Sequence, residues 1–261
     1  MVSMHITTEI LGKTVHADTL YFAWACMALI LLVSAYLVSS LSEDTENYGT
    51  KQHLAESIYD FIRGLTNGQI GEKHGEKFVY FIGSIFLFVL VSYYAGLLPW
   101  KLGSLFAWWP TLPAAAGEHA HAWHGASPCA DLNVTAGIAI LVVVVYFGAG
   151  VMVGGFKYIQ MFFPINFGKK GISINAMCLI ELMDLVVRPL TLSLRLFANT
   201  VAGETLLATF IALVALALPV GILGFEMAVG LLQAFLFTIL TTVYIGSTVQ
   251  HAEHLVHDEH H

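Results

Sequence analysis

The sequence predicts an all-α polytopic membrane protein, with about five membrane-embedded helices and one amphipathic surface helix, its last two helices forming a long hairpin. Three observations predict it. Only 11% of the 261 residues are charged, against about 25% in soluble domains. Mean hydropathy is +0.75, and apolar runs near the ~20 residues that cross hydrocarbon recur along the chain. The polar residues inside the last two runs keep helical spacing, so they share faces rather than ending helices. Residues 1–261 read as a single membrane domain.

In order, residues 1–18 are a short polar arm with neither a cleavable signal nor the Arg/Ser-rich look of a transit peptide. Direct insertion is expected, in a bacterium or in an organelle that encodes its own copy. Residues 19–42 carry no charge and make the first span. Over 44–68, Leu54, Ile58, Phe61, Ile62 and Leu65 recur at helical spacing between charges, as in a helix lying on a membrane surface. Residues 78–100 form the second span. Residues 101–131 are a loop whose Trp108, Trp109 and Trp123 suit a membrane interface. Residues 132–156 are the third span. Residues 172–218 and 222–250 are the last two helices, separated at Pro219–Gly221. Residues 251–261 are a solvated, histidine-rich tail.

Basic residues orient the spans. Lys51, Arg63, Lys73 and Lys77 follow the first span and Lys157, Lys169 and Lys170 follow the third, against Lys13 and Lys101 on the other side. The N-terminus is therefore expected outside and the C-terminus in the cytoplasm.

Composition also excludes classes. The net charge of -7 comes with no basic patch for nucleic acid. Cys26, Cys129 and Cys178 are too dispersed for a disulfide framework or a zinc motif. His119, His121 and His124 lack ligand spacing and read as a solvated loop, so no metal is expected. No phosphate-cradling loop or nucleophile constellation is visible, which predicts a non-catalytic chain without a cofactor.

What remains is a polar seam. Glu181, Arg188 and Arg195 are seven apart, and Asp184, Thr191 and Asn199 extend the same face. A charge at bilayer depth costs about 2.5–3.5 kcal/mol on insertion scales and is kept only if paired, hydrated or used. Arg195 has apolar neighbours on both sides, so it reads as a fixed cation on an ion pathway. Arg188, just before Pro189, has a plainer reading as an interfacial residue with Asp184 as its i, i+4 partner. The final helix carries Glu226 and Gln233, again seven apart. One antiparallel register places Gln233 beside Arg195 and Glu226 beside Glu204, to within about one 1.5 Å helical step. The Pro219–Gly221 break lies beyond the midpoint of that register, which demands staggered or crossed helices. Gln233 would orient the guanidinium without neutralising it, and two carboxylates in one site would share a proton. Gln233 and Asn199 also fit as interhelical glue. Gly203, Gly221, Gly224 and Gly230 read as close-packing positions.

RPLTLSLRLFANTVAGE, followed by LLQAFLFTILTTVYIGS, resembles subunit a of the F-type ATP synthases. The likeness extends through YDFIRGLTNGQIGEKHGEKFVYFIGSIFLFVLVSYYAGLLPWK and FKYIQ, and the chloroplast and cyanobacterial forms look closest. The resemblance implies a stator subunit whose last two tilted helices curve around a ring of subunit c. Partners would be that ring, the subunit b peripheral stalk, the remaining synthase subunits and the lipid bilayer. Arg195 matches the family's essential arginine, which meets each ionised ring carboxylate and separates two aqueous half-channels. Asn199 and Gln233 match polar positions beside it, Glu204 and Glu226 the entry pair, and Glu181 the acid on the cytoplasmic side. Many relatives place a histidine in the entry pair, whereas this chain has two glutamates, which leaves a sodium-translocating version as the alternative. A stand-alone secondary transporter would use the same seam but shows inverted repeats, and none is visible. A purely structural anchor would not need the seam. The implied location is a bacterial inner membrane, with the thylakoid as the alternative.

Overall fold

The computed structural model describes residues 7–10, 13–39, 50–106, 127–161, 176–213 and 217–257. The expected polar arm holds a small antiparallel hairpin, β1 (Thr7–Ile10) and β2 (Lys13–His16), with Thr7 opposite His16 and Ile10 opposite Lys13. Thr7, Thr8, Thr14 and Val15 are β-branched and favour that conformation. The other elements are helices: α1 (Ala17–Ser39), α2 (Thr50–Ile70), α3 (Glu72–Gly75), α4 (Val79–Phe106), α5 (Leu132–Met161), α6 (Ala176–Leu213) and α7 (Ala217–His257).

Among the described residues four stretches are long and apolar enough to cross a membrane: Val79–Leu97, Leu132–Gly155, Met183–Leu207 and Leu218–His254; Thr19–Ala35 is a shorter apolar helix. The chain is a multi-pass membrane protein of the expected all-α class, with the hairpin β1–β2 as its one addition there.

The helix ends differ from expectation in physically explicable ways. The surface helix α2 runs on to Ile70 and stops at Gly71, whose φ of +91° is in the region glycine favours. Its covered stripe is Ile62, Thr66 and Ile70, while Phe61 and Tyr59 are exposed. Thr66 is tolerated in that stripe because its hydroxyl donates to the Ile62 carbonyl, 2.7 Å away. α4 continues through the start of the expected loop to Phe106. The tryptophans and histidines of that loop lie outside the described residues. α5 extends past the third span and bends at Gly155, where φ is +61°. Beyond the bend Tyr158 packs back against Phe147, with ring centroids 5.8 Å apart.

The largest correction concerns the last two helices. Pro219 and Gly221 do not separate them; α6 ends at Leu213 and α7 has already begun at Ala217. Pro219 sits in the first turn of α7, where its missing N–H would have had no partner anyway. The end of α6 and the start of α7 therefore lie on either side of the midpoint of the expected register rather than some five residues past it. The C-terminal tail is likewise not all solvated coil: α7 reaches His257, Ala252 is fully buried, and Glu253 pairs with His74 at 3.2 Å.

The chain divides into two compact units whose boundaries run through α4, α5, α6 and α7. The first takes Met1–Glu43, Phe86–Thr135 and Leu196–Phe235. Its core gathers Tyr93, Leu97, Leu207 and Leu223. At its edge Asp131 caps α5 by accepting from the Asn133 N–H at 2.8 Å, and accepts from the Thr19 hydroxyl of α1 at 2.9 Å. The second unit takes Asp44–Ile85, Ala136–Arg195 and Leu236–His261. There α7 lies so close to the end of α2 that a Cβ on Gly246 would come 2.5 Å from the Gln69 carbonyl oxygen.

Candidate functional site

In the first unit the two glutamates of the seam belong to one neighbourhood. Glu226 on α7 is 2% exposed, and its carboxyl lies against Gly203 of α6. The approach is close: a Cβ at 203 would sit 2.7 Å from Glu226 Oε1, so a side chain there would push the carboxyl aside. Glu204, the next residue, is half-buried, and its Oε1 accepts from the Ser127 backbone N–H at 3.1 Å. Tyr93 of α4 lies within electrostatic reach of both carboxylates. Its ring closes over Gly230, where any Cβ would collide with it. Gly203 and Gly230 are thus close-packing positions as expected. Nothing lies within 4 Å of a Cβ at Gly221 or Gly224, so those two are not.

Ser127 holds this arrangement from a short 3-10 turn, Pro128–Ala130, ahead of α5. Its hydroxyl donates to the Ser92 carbonyl at 2.9 Å and accepts from the Cys129 N–H at 3.2 Å. Burial pushes the Cys129 thiol up to about 12. Tyr94 ties α4 to α7 by donating to the Met227 carbonyl at 2.9 Å. Sequence reasoning missed Ser127, Tyr93 and Tyr94. Ser-Pro is a turn signal, but nothing local indicates an acceptor 77 positions away.

Also in this unit, Gln233 is 5% exposed and Asn199 is half-buried. Thr200, next to Asn199, spends its hydroxyl on the Leu196 carbonyl at 2.8 Å.

In the second unit the two arginines of the seam have different surroundings. Arg188 is held on several sides. It donates to Asp184 at 2.9 Å and to Ser247 of α7 at 3.4 Å. Its guanidinium lies 5.1 Å from the Tyr244 ring centroid and 5.9 Å from that of Tyr146 on α5. The i, i+4 pairing with Asp184 is present, and Arg188 fastens α5, α6 and α7 together. Arg195 is exposed, and among the described residues no hydrogen bond or ion pair holds it. Along the same side of α6, Val187, Thr191, Ala198 and Ala202 are exposed as well. Glu181 is helical, on the first turns of α6.

Within each unit the α6 and α7 segments run side by side. Glu226 against Gly203, with Leu223 and Leu207 together in the core, gives an antiparallel register in the first, as expected for the acid pair. The Arg188–Ser247 contact joins the same two helices in the second.

The comparison with known proteins covers both the spans and the seam. Residues 20–246 match the family described as ATP synthase A chain. A relative, ATP synthase subunit a of Gloeobacter violaceus, is 31% identical over 262 aligned residues, covering 100% of this chain and 93% of the relative. On this match the chain belongs to the ATP synthase A chain family.

Proposed function

We propose that the chain is the non-catalytic, proton-translocating stator subunit of an F-type ATP synthase. In this reading it provides two aqueous half-channels and one permanent cation, and so couples proton flow to rotation of a subunit c ring. The observation that carries the reading is Arg195. It lies within the apolar stretch Met183–Leu207, exposed and without a partner among the described residues. Left facing lipid, such a charge would cost several kcal/mol. Facing a ring of carboxylates it is matched, and arginine suits the task because it does not deprotonate in proteins. Ala198 and Ala202 beside it are small enough for another helix to approach closely.

The acid neighbourhood supplies the entry side. A proton from outside is taken up at Glu226 and Glu204, which lie in reach of one tyrosine, with Glu226 against the helix that carries Glu204. It then passes to a ring carboxylate. Arg195 draws in the next ionised carboxylate and bars direct passage between the half-channels, and Gln233 and Asn199 serve as polar positions of the same ion path. Glu181 serves the exit side. Asp184 and Arg188 act in this reading as a structural clamp. The remaining synthase subunits, with the subunit b stalk, hold the chain against the torque. The N-terminus lies outside and the C-terminus in the cytoplasm of a bacterial inner membrane.

The test is Arg195→Ala in the assembled synthase, reconstituted in vesicles. ATP-driven proton pumping is expected to vanish while complex abundance is kept. Normal pumping would overturn the role of Arg195. Pumping in the native complex that follows sodium rather than pH would overturn the choice of ion.

A further inference from the structure

We propose that the second unit carries a binding site for an anionic phospholipid, where α3 and the start of α4 meet the end of α5. A cavity of about 270 Å³ opens there. One rim is cationic: Lys73 and Lys77, four residues apart, are both exposed. Another part of the lining is apolar, made by Phe78, Ala149, Met152 and Val153. Met152 is 83% exposed, so its apolar side chain is open to contact with a lipid chain.

The two parts of the lining stand at the level where a phospholipid changes character. α5 is apolar up to Gly155, so Met152 lies about 4.5 Å inside the end of the span at 1.5 Å per residue. Lys73 and Lys77 precede Val79, where the apolar stretch of α4 begins. A phosphodiester at the lysines therefore sets the top of its acyl chain on Met152 and Val153. The chain can continue along Val144, Leu141 and Ile140, which are exposed on α5.

Charge selects the headgroup. Glu253 lines the cavity too, but it is engaged by His74 at 3.2 Å and by Lys73 at 3.7 Å. Lys77 has no acidic partner among the described residues. One carboxylate against two ammonium groups leaves a net positive rim, suited to a lipid of net negative charge. A zwitterionic lipid would bring its own ammonium group to the same rim and gain nothing from it. Basic pockets of this kind at the inner face of membrane helices bind anionic headgroups.

The test uses the intact synthase in vesicles containing a trace of phosphatidylglycerol or phosphatidylcholine, each with a photoactivatable group near the top of one acyl chain. Labelling at Met152–Val153 is read by peptide mapping and normalised to labelling at Leu32, an exposed apolar residue of α1 outside the proposed site that reports bulk lipid. The phosphatidylglycerol probe is expected to be enriched at Met152, and the enrichment to fall with added salt. Lys73→Gln with Lys77→Gln should lower it by about five-fold per lysine. Met152→Asp, which leaves both charges in place, should lower it as well by spoiling the apolar wall. Equal enrichment of the phosphatidylcholine probe would overturn the proposal, as would an undiminished signal in the double lysine variant. Displacement of the label by millimolar inorganic phosphate would overturn the lipid as the occupant.

Discussion

Gly203→Ala is the sharpest perturbation the acid neighbourhood offers. The new Cβ would lie 2.7 Å from Glu226 Oε1, 3.2 Å from Cδ and 3.6 Å from Cγ. Ordinary contact begins near 3.4 Å, so the oxygen must retreat by about 0.7 Å while the stem of the side chain stays. Such a displacement takes the carboxyl off its rotamer by an amount worth about 0.5–1.5 kcal/mol. The helix itself gains slightly from alanine. The complex should therefore assemble at native abundance. If the displacement is felt in proton loading, ATP synthesis should fall roughly 2- to 10-fold. Gly224→Ala is the matched control: it makes the same chemical change on α7 and meets nothing within 4 Å, so it should be silent. The assay is ATP synthesis in inverted vesicles driven by an imposed pH difference, scaled to immunoblotted subunit. Native rates in Gly203→Ala at every pH would refute the placement of Glu226. Equal losses in Gly203→Ala and Gly224→Ala would show that helix flexibility is what matters, not the contact.

Three further predictions follow from the same geometry. Glu226→Gln keeps the shape of the buried group and removes its proton exchange, so proton flux should drop severalfold with assembly intact; unchanged flux across the pH range would sink the shared-proton pair. Arg188→Ala removes an ion pair, worth about 0.5 kcal/mol at this partial exposure, and contact with two aromatic rings, worth about 1–2 kcal/mol together. It should raise protease cleavage around α5–α7, and much of that loss should disappear in a Tyr244→Leu background; a purely additive double mutant would reject the clamp. Burial holds the Cys129 thiol protonated up to about 12 rather than 9.0, so maleimide should modify it only after denaturation. The sign follows: the stability linked to this thiol is whole below pH 9 and lost as pH climbs toward 12, because the unfolded chain ionises first. Prompt labelling of Cys129 in the folded complex at pH 8 would contradict its burial.

The amino-acid sequence alone determined the membrane class, the positions of the apolar stretches and the polar seam. Burial in hydrocarbon imposes composition and period directly, and a charge such as Arg195 stands out against leucine and phenylalanine. It also determined which glutamates share a level, because an antiparallel helical register is arithmetic. It did not determine where the last two helices part. Pro219 looks like a break in one dimension and is a first-turn residue in three, since a helix start has no use for that N–H. Nor could it separate Gly203 and Gly230, which admit Glu226 and Tyr93, from Gly221 and Gly224, which admit nothing. The same holds for Ser127, whose N–H reaches Glu204 only after the chain has turned back on itself. Those contacts depend on distances between elements far apart in the chain, and only tertiary packing decides them.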